Sequence, residues 1–104
     1  MMAIPEIVAV VYLGHLVVEV WEEAGLTRDG EVLHGYCEPE KNRIIINADH
    51  DSDMKASTFL HESIHYIAET YGMDLDERAV LTLEMGLVQM LGHPTYPPSP
   101  TTGD

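Results

Sequence analysis

The sequence predicts an α+β domain in which a short antiparallel sheet of three to four strands packs on one helix, with a second, antiparallel helix after it. Three observations carry that expectation. The first half holds short Val- and Ile-rich runs separated by glycines and turn residues, as strands require. The second half holds two apolar patterns of helical period, each preceded by aspartates suited to an N-cap. The length, 104 residues, fits one domain and not two.

Taken in order, residues 7–12 read as a buried strand, Gly14 as a turn and residues 16–21 as a second strand, together a hairpin. Residues 22–31 carry Gly25, Asp29 and Gly30 and read as a polar connection. Residues 32–37 and 43–47 are two further short strands, joined by the turn chemistry of Glu38-Pro39-Glu40-Lys41-Asn42. Asp49, Asp51, Ser52 and Asp53 supply cap material for a helix over residues 53–70, closed by Gly72. Its core face is expected along Leu60, Ile64, Ile67 and Tyr71, which fall within about 60° at helical spacing. Asp74 or Asp76 caps a second helix running to Leu91, with Val80, Leu81, Leu87, Val88 and Leu91 on its apolar face. The short connection makes the two helices antiparallel neighbours. Four prolines follow Gly92, so the sequence divides into a domain over residues 1–91 and an extended or disordered Pro-rich tail over residues 92–104 that supplies little core.

Eighteen acidic residues against five basic ones give a formal charge of −13. That balance excludes a phosphate-backbone partner, which is held chiefly by Lys and Arg, and it disfavours an anionic membrane surface. The longest apolar stretch is interrupted by Gly14, His15 and Glu19, and no basic region precedes it. Neither a membrane span nor a secretory leader is therefore expected. The single cysteine, Cys37, leaves no intrachain disulfide and suits a reducing compartment. The expected location is the cytoplasm.

The chemistry is concentrated in His61-Glu62-Ser63-Ile64-His65, an H-E-x-x-H motif inside the first helix. Residues four apart on a helix differ by about 40° in direction and one turn in height, so two imidazoles can converge on one ion. Glu62 projects further round the same side. It can reach a water on the metal without being forced to ligate it. The motif predicts a Zn2+ site with His61 and His65 as ligands and Glu62 as general base. A catalytic zinc normally takes a third protein ligand. Glu77 and Glu84, seven apart on one face of the second helix, both qualify, and geometry does not choose between them.

The stretch from Thr58 through His61-Glu62-Ser63-Ile64-His65 to Ile67, with Gly72-Met73-Asp74-Leu75-Asp76-Glu77-Arg78 and then Gly86-Leu87, resembles small phage and prophage proteins of the zincin superfamily. These are related to the ImmA/IrrE-like metallopeptidases. Gly35 and the Arg43-Ile44-Ile45-Ile46-Asn47 strand are similar to the same group, so the resemblance covers about residues 7–91. It implies a short sheet on the metal-binding helix and a third ligand at the start of the next helix, where Glu77 stands. It also implies a host-cytoplasmic, phage-encoded setting. The second helix lacks the Glu-Ala-Asn-x-Phe-Ala core of the larger relatives, and no extra substrate-recognising domain is expected.

The remaining polar residues carry weaker signals. Tyr36 and Tyr66 are the candidates for stabilising an oxyanion, with Tyr66 better suited to packing. His15 and His34 read as ordinary strand histidines, and Cys37 as an inert thiol. The aspartates between Asp49 and Asp53 do not follow a calcium-loop pattern and are expected to cap. The leading expectation is thus a zinc metallopeptidase acting on an extended peptide or protein substrate, paired with an exposed strand edge at residues 43–47. The rivals are a non-catalytic zinc site and a phage-host interaction protein that uses its acidic surface or its tail.

Overall fold

The structure, a computed structural model, describes residues 4–98. The chain is α+β, in the order β1 (Glu6–Leu13), β2 (Leu16–Glu23), β3 (Thr27–Arg28), β4 (Glu31–Val32), β5 (Gly35–Glu38), a 3-10 turn (Pro39–Lys41), β6 (Arg43–Asn47), α1 (Ser52–Thr70) and α2 (Glu77–Leu91). Four strands form the main sheet in the order β1-β2-β6-β5, and β3 and β4 form a separate ribbon. The stretch read from sequence as one strand over residues 32–37 is split between β4 and β5. No helix among the described residues is long and apolar enough to cross a membrane.

The main sheet is mixed and not wholly antiparallel. β1 and β2 make the expected hairpin and β5 runs antiparallel to β6, but β6 lies parallel to β2. β6 is therefore a central strand and not an edge, which corrects the expectation that residues 43–47 offer a free edge. The reason is in its composition. Ile44 and Ile46 are fully buried on the helix side and Ile45 is buried on the other. A strand covered on both faces reads as a continuous apolar run. The free edge on that side of the sheet belongs to β5.

Ile44 and Ile46, with Val18 and Val20 of β2 and Val11 of β1, meet Phe59 and Tyr66 of α1 in one core. The buried face of α1 carries Ala56, Phe59, Ser63 and Tyr66, at helical spacing. That face is turned well away from the Leu60/Ile64/Ile67/Tyr71 stripe. Ile67 and Tyr71 are in fact exposed. A small-residue face with two aromatic anchors lets the helix approach the sheet closely, and residue size outweighed the aliphatic pattern. Tyr66 is packed and its hydroxyl donates to Asn42 Oδ1 at 2.9 Å.

Local chemistry fixes both helix ends. Asp51 caps α1 by accepting from the Met54 amide at 2.8 Å, and Asp76 caps α2 by accepting from the Ala79 amide at 2.8 Å. α1 closes with Gly72 at φ +72°, its amide bonded to the Glu69 carbonyl while the Met73 amide reaches the Ala68 carbonyl. Asp49 accepts from the Gly25 amide at 2.8 Å, so these aspartates tie loops and cap a helix as expected. Gly35 is a close-approach glycine. A Cβ there would lie 2.5 Å from the Ile45 carbonyl oxygen and 2.7 Å from Thr58 Cγ2, so β5 sits on α1 only because the side chain is missing.

The segment after α2 departs from its reading as a detached tail. Tyr96 packs on the core, its ring centre 6.4 Å from that of Phe59. Its hydroxyl donates to Glu22 Oε2 at 2.6 Å, and Glu22 Oε1 accepts from Lys55 at 2.9 Å. Residues 99–104, the rest of the predicted tail, lie outside the described residues.

Candidate metal centre

α1 carries three faces at once. Phe59, Ser63 and Tyr66 point to the sheet, His61 and His65 point to α2, and Glu62 lies between these directions. The 100° step of the helix makes that division unavoidable once the aromatic anchors are fixed. α2 runs antiparallel to α1, so Glu77 in its first turn reaches the end of the motif and Glu84, two turns on, reaches back toward Ser57.

The two imidazoles and Glu77 converge. His65 Nε2 lies 2.5 Å from Glu77 Oε1, and His61 Nε2 lies 3.2 Å from the same oxygen. The ring centres stand 5.0 Å apart, edge to face. One ligand atom from each of the three residues falls within 4.8 Å of the others. Four ligands at about 2.0–2.1 Å in a tetrahedron stand about 3.3 Å from one another, so this donor set fits a divalent ion with small side-chain movements.

Glu84 has a different place. It accepts from the Ser57 hydroxyl through Oε2 at 2.9 Å and lies 2.9 Å from His61 Nδ1 through Oε1, on the ring nitrogen facing away from Glu77. Its side chain is 15% exposed, against 67% for Glu77. The sequence left the two glutamates as alternatives, and the fold gives both a position. Glu77 stands at the open mouth with both Nε2 atoms, and Glu84 sits beneath as the partner of the far nitrogen of one ring. A carboxylate in that position fixes a ring's tautomer and orientation.

The protonation pattern fits the same division. His61 has a carboxylate on each of its ring nitrogens, Glu84 at Nδ1 and Glu77 at Nε2. Burial works against a charge on the ring, but Glu84 and Glu77 outweigh it and raise the His61 pKa. Burial also acts against the Glu77 carboxylate, and there the imidazoles of His65 and His61 prevail and lower its pKa.

Glu62 is half-buried beside this cluster. Burial raises its pKa, against the pull of His61 and His65. Cys37 on β5 hydrogen-bonds to it, and burial together with the Glu62 charge pushes that thiol up to about 12. Burial thus disfavours the thiolate form of Cys37, and the side chain touches the candidate base. That contact was invisible in the sequence, because it depends on β5 lying against α1.

An open cleft of about 450 Å³ leads to the cluster between β5, α1 and α2, with Gly35, Thr58, His61, Glu62, Glu77 and Glu84 on its walls. Tyr36 and Tyr66 are not in it. Tyr36 lines a smaller pocket of about 170 Å³ with Trp21 and Arg43, and Tyr66 points into the core. His15 lies by Tyr71, 3.4 Å from its hydroxyl, and His34 lies by His50 with ring centres 5.0 Å apart. No protein-family model, curated protein or solved structure matches the chain.

Proposed function

We propose that this chain is a zinc-dependent metallopeptidase, with His61, His65 and Glu77 as the metal ligands and Glu62 as the general base. The observation that carries the reading is the convergence of both Nε2 atoms on the Glu77 carboxylate, with Glu62 adjacent and an open cleft in front. When bound, the ion would polarise a peptide carbonyl and bring the pKa of a water to about 7.

The chain's own residues do the rest. Glu84 holds His61 by Nδ1 and keeps its Nε2 free for the ion. Glu62 takes the proton of the attacking water and delivers it to the departing amine. Burial moves its pKa toward the working range of such a base. The substrate strand is β5. The His34 carbonyl accepts from the Asn47 amide at 2.9 Å, and with Gly35 opposite Ile46 the antiparallel alternation turns the amides and carbonyls of Gly35 and Cys37 outward. No other strand pairs with that edge among the described residues. An extended peptide laid on it would pass beside the residue that touches Glu62.

One observation favours a second reading, a purely structural zinc clasp. Val80 is the single fully buried side chain of α2, so an ion would add much to the hold on that helix. The open side of the cluster at Glu77 and the presence of Glu62 favour catalysis. The test is the Glu62→Gln variant beside the wild type, with zinc content and cleavage of a broad peptide library measured on both. Equal zinc and loss of cleavage in the variant support the peptidase. A zinc-loaded wild type that cleaves nothing leaves the structural clasp.

A further inference from the structure

We infer that the cleft selects peptides by a bulky apolar side chain placed next to the bond that faces the histidines, and that Leu81 is the main determinant of this choice. The inference rests on the peptidase reading and adds the substrate class to it.

The lining of the cleft mixes two chemistries. His61, Glu62, Glu77 and Glu84 stand on its walls. So do Val32, Leu33, Met54 and Leu81. Three of these are exposed beyond the ordinary for their type, Val32 at 66%, Leu81 at 48% and Met54 at 42%. They come from three separate segments, β4, the start of α1 and the first turns of α2. Leu81 is one turn after Glu77 and Met54 two turns before His61, so both stand on the same sides of their helices as the cluster residues.

The occupant follows from three facts. The outward amides and carbonyls of Gly35 and Cys37 suit an extended backbone, which projects alternate side chains to one side. Leu81 follows Glu77 by one turn and lines the same cleft, so a side chain next to a carbonyl held at the histidines would meet it. The cleft walls contain no Lys or Arg and three glutamates, so an acidic side chain meets repulsion and has no fixed cationic partner. A Leu or Phe side chain loses its hydration against Leu81 and Met54.

The test uses the full chain carrying Glu62→Gln, titrated with blocked hexapeptides that differ at one central position, Leu, Phe, Gly, Lys or Asp. Binding is followed calorimetrically, with and without zinc. The expected result is Leu and Phe peptides binding at least about tenfold more tightly than the Asp peptide. Adding Leu81→Glu should abolish that ranking, and Leu81→Met should keep it. Equal binding of Leu and Asp peptides, a ranking indifferent to Leu81→Glu, or no binding of any peptide would overturn the inference. The zinc arm reads the metal separately. A variant that ranks peptides but takes no zinc would sink the peptidase reading and keep the apolar subsite, whereas one that takes zinc and ranks nothing would do the reverse.

Discussion

On its sheet side α1 is held by Phe59 and Tyr66, set among Val18, Val20, Ile44 and Ile46 with little or no exposure. On its α2 side the same helix is held by carboxylate contacts to Ser57, His61 and His65, and α2 contributes one fully buried side chain, Val80. The first joint is made by excluding water. The second is made of charged groups that need partners, and in such a joint a bound ion counts for more than another methyl group. The difference teaches where the protein is a scaffold and where it is a device: the sheet side sets the direction of the motif, and the α2 side closes it.

The largest effect is expected on the sheet side. Ile46→Ala should lower unfolding stability by about 3–4 kcal/mol in chemical denaturation, with the same loss in the presence and absence of zinc. A loss that depended on zinc would mean that the two joints are not separate. On the other side, zinc at about a hundred times its Kd should stabilise the wild type by about 2.7 kcal/mol, and Glu77→Gln should remove most of that gain while changing the metal-free protein little. Thermal melts with added zinc measure both. Glu84→Gln should be milder, weakening zinc affinity by about 10- to 100-fold with unchanged stoichiometry, as calorimetric titration can read. If Glu84→Gln abolished binding and Glu77→Gln did not, the roles of the two glutamates would have to be exchanged.

The sequence carried the outline of this comparison further than its details. The hairpin, the capped helices and the H-E-x-x-H motif were legible because each is local: a turn glycine, an aspartate at a helix start, two histidines one turn apart. The pairing of β6 was not, because a run of three isoleucines says that a strand is buried on both faces without saying which neighbours bury it. The core face of α1 was misread because Ala56 and Ser63 carry little hydrophobic signal, although small residues are what allow the helix onto the sheet. Glu84 was visible as a candidate only. Its place at the far nitrogen of His61 depends on how α1 and α2 pair. Tyr96 was hidden by its prolines, which preclude a helix but do not prevent an aromatic ring from reaching the core.

The smallest effect, a pH slope, sharpens the comparison further. Without metal, burial opposes the charge on His61, but Glu84 and Glu77 prevail and raise its pKa above the ordinary 6.5. A histidine raised in this way gives stability that is complete below the unfolded value and is lost as pH rises through the folded value. Metal-free protein should therefore lose stability as pH rises above about 6.5, and His61→Asn should flatten that part of the profile. Zinc needs unprotonated rings, so its stabilising effect should grow over the same window. Denaturation curves taken across it, with zinc and with a chelator, measure the two opposite slopes.

The central claim is that His61, His65 and Glu77 share one ion. X-ray absorption at the zinc edge, on protein loaded one to one and dialysed, tests it most directly. The account predicts a first shell of two imidazole nitrogens and light oxygen ligands at about 2.0–2.1 Å, altered in Glu77→Gln. Zinc lost on dialysis, or a first shell without imidazole, would contradict it.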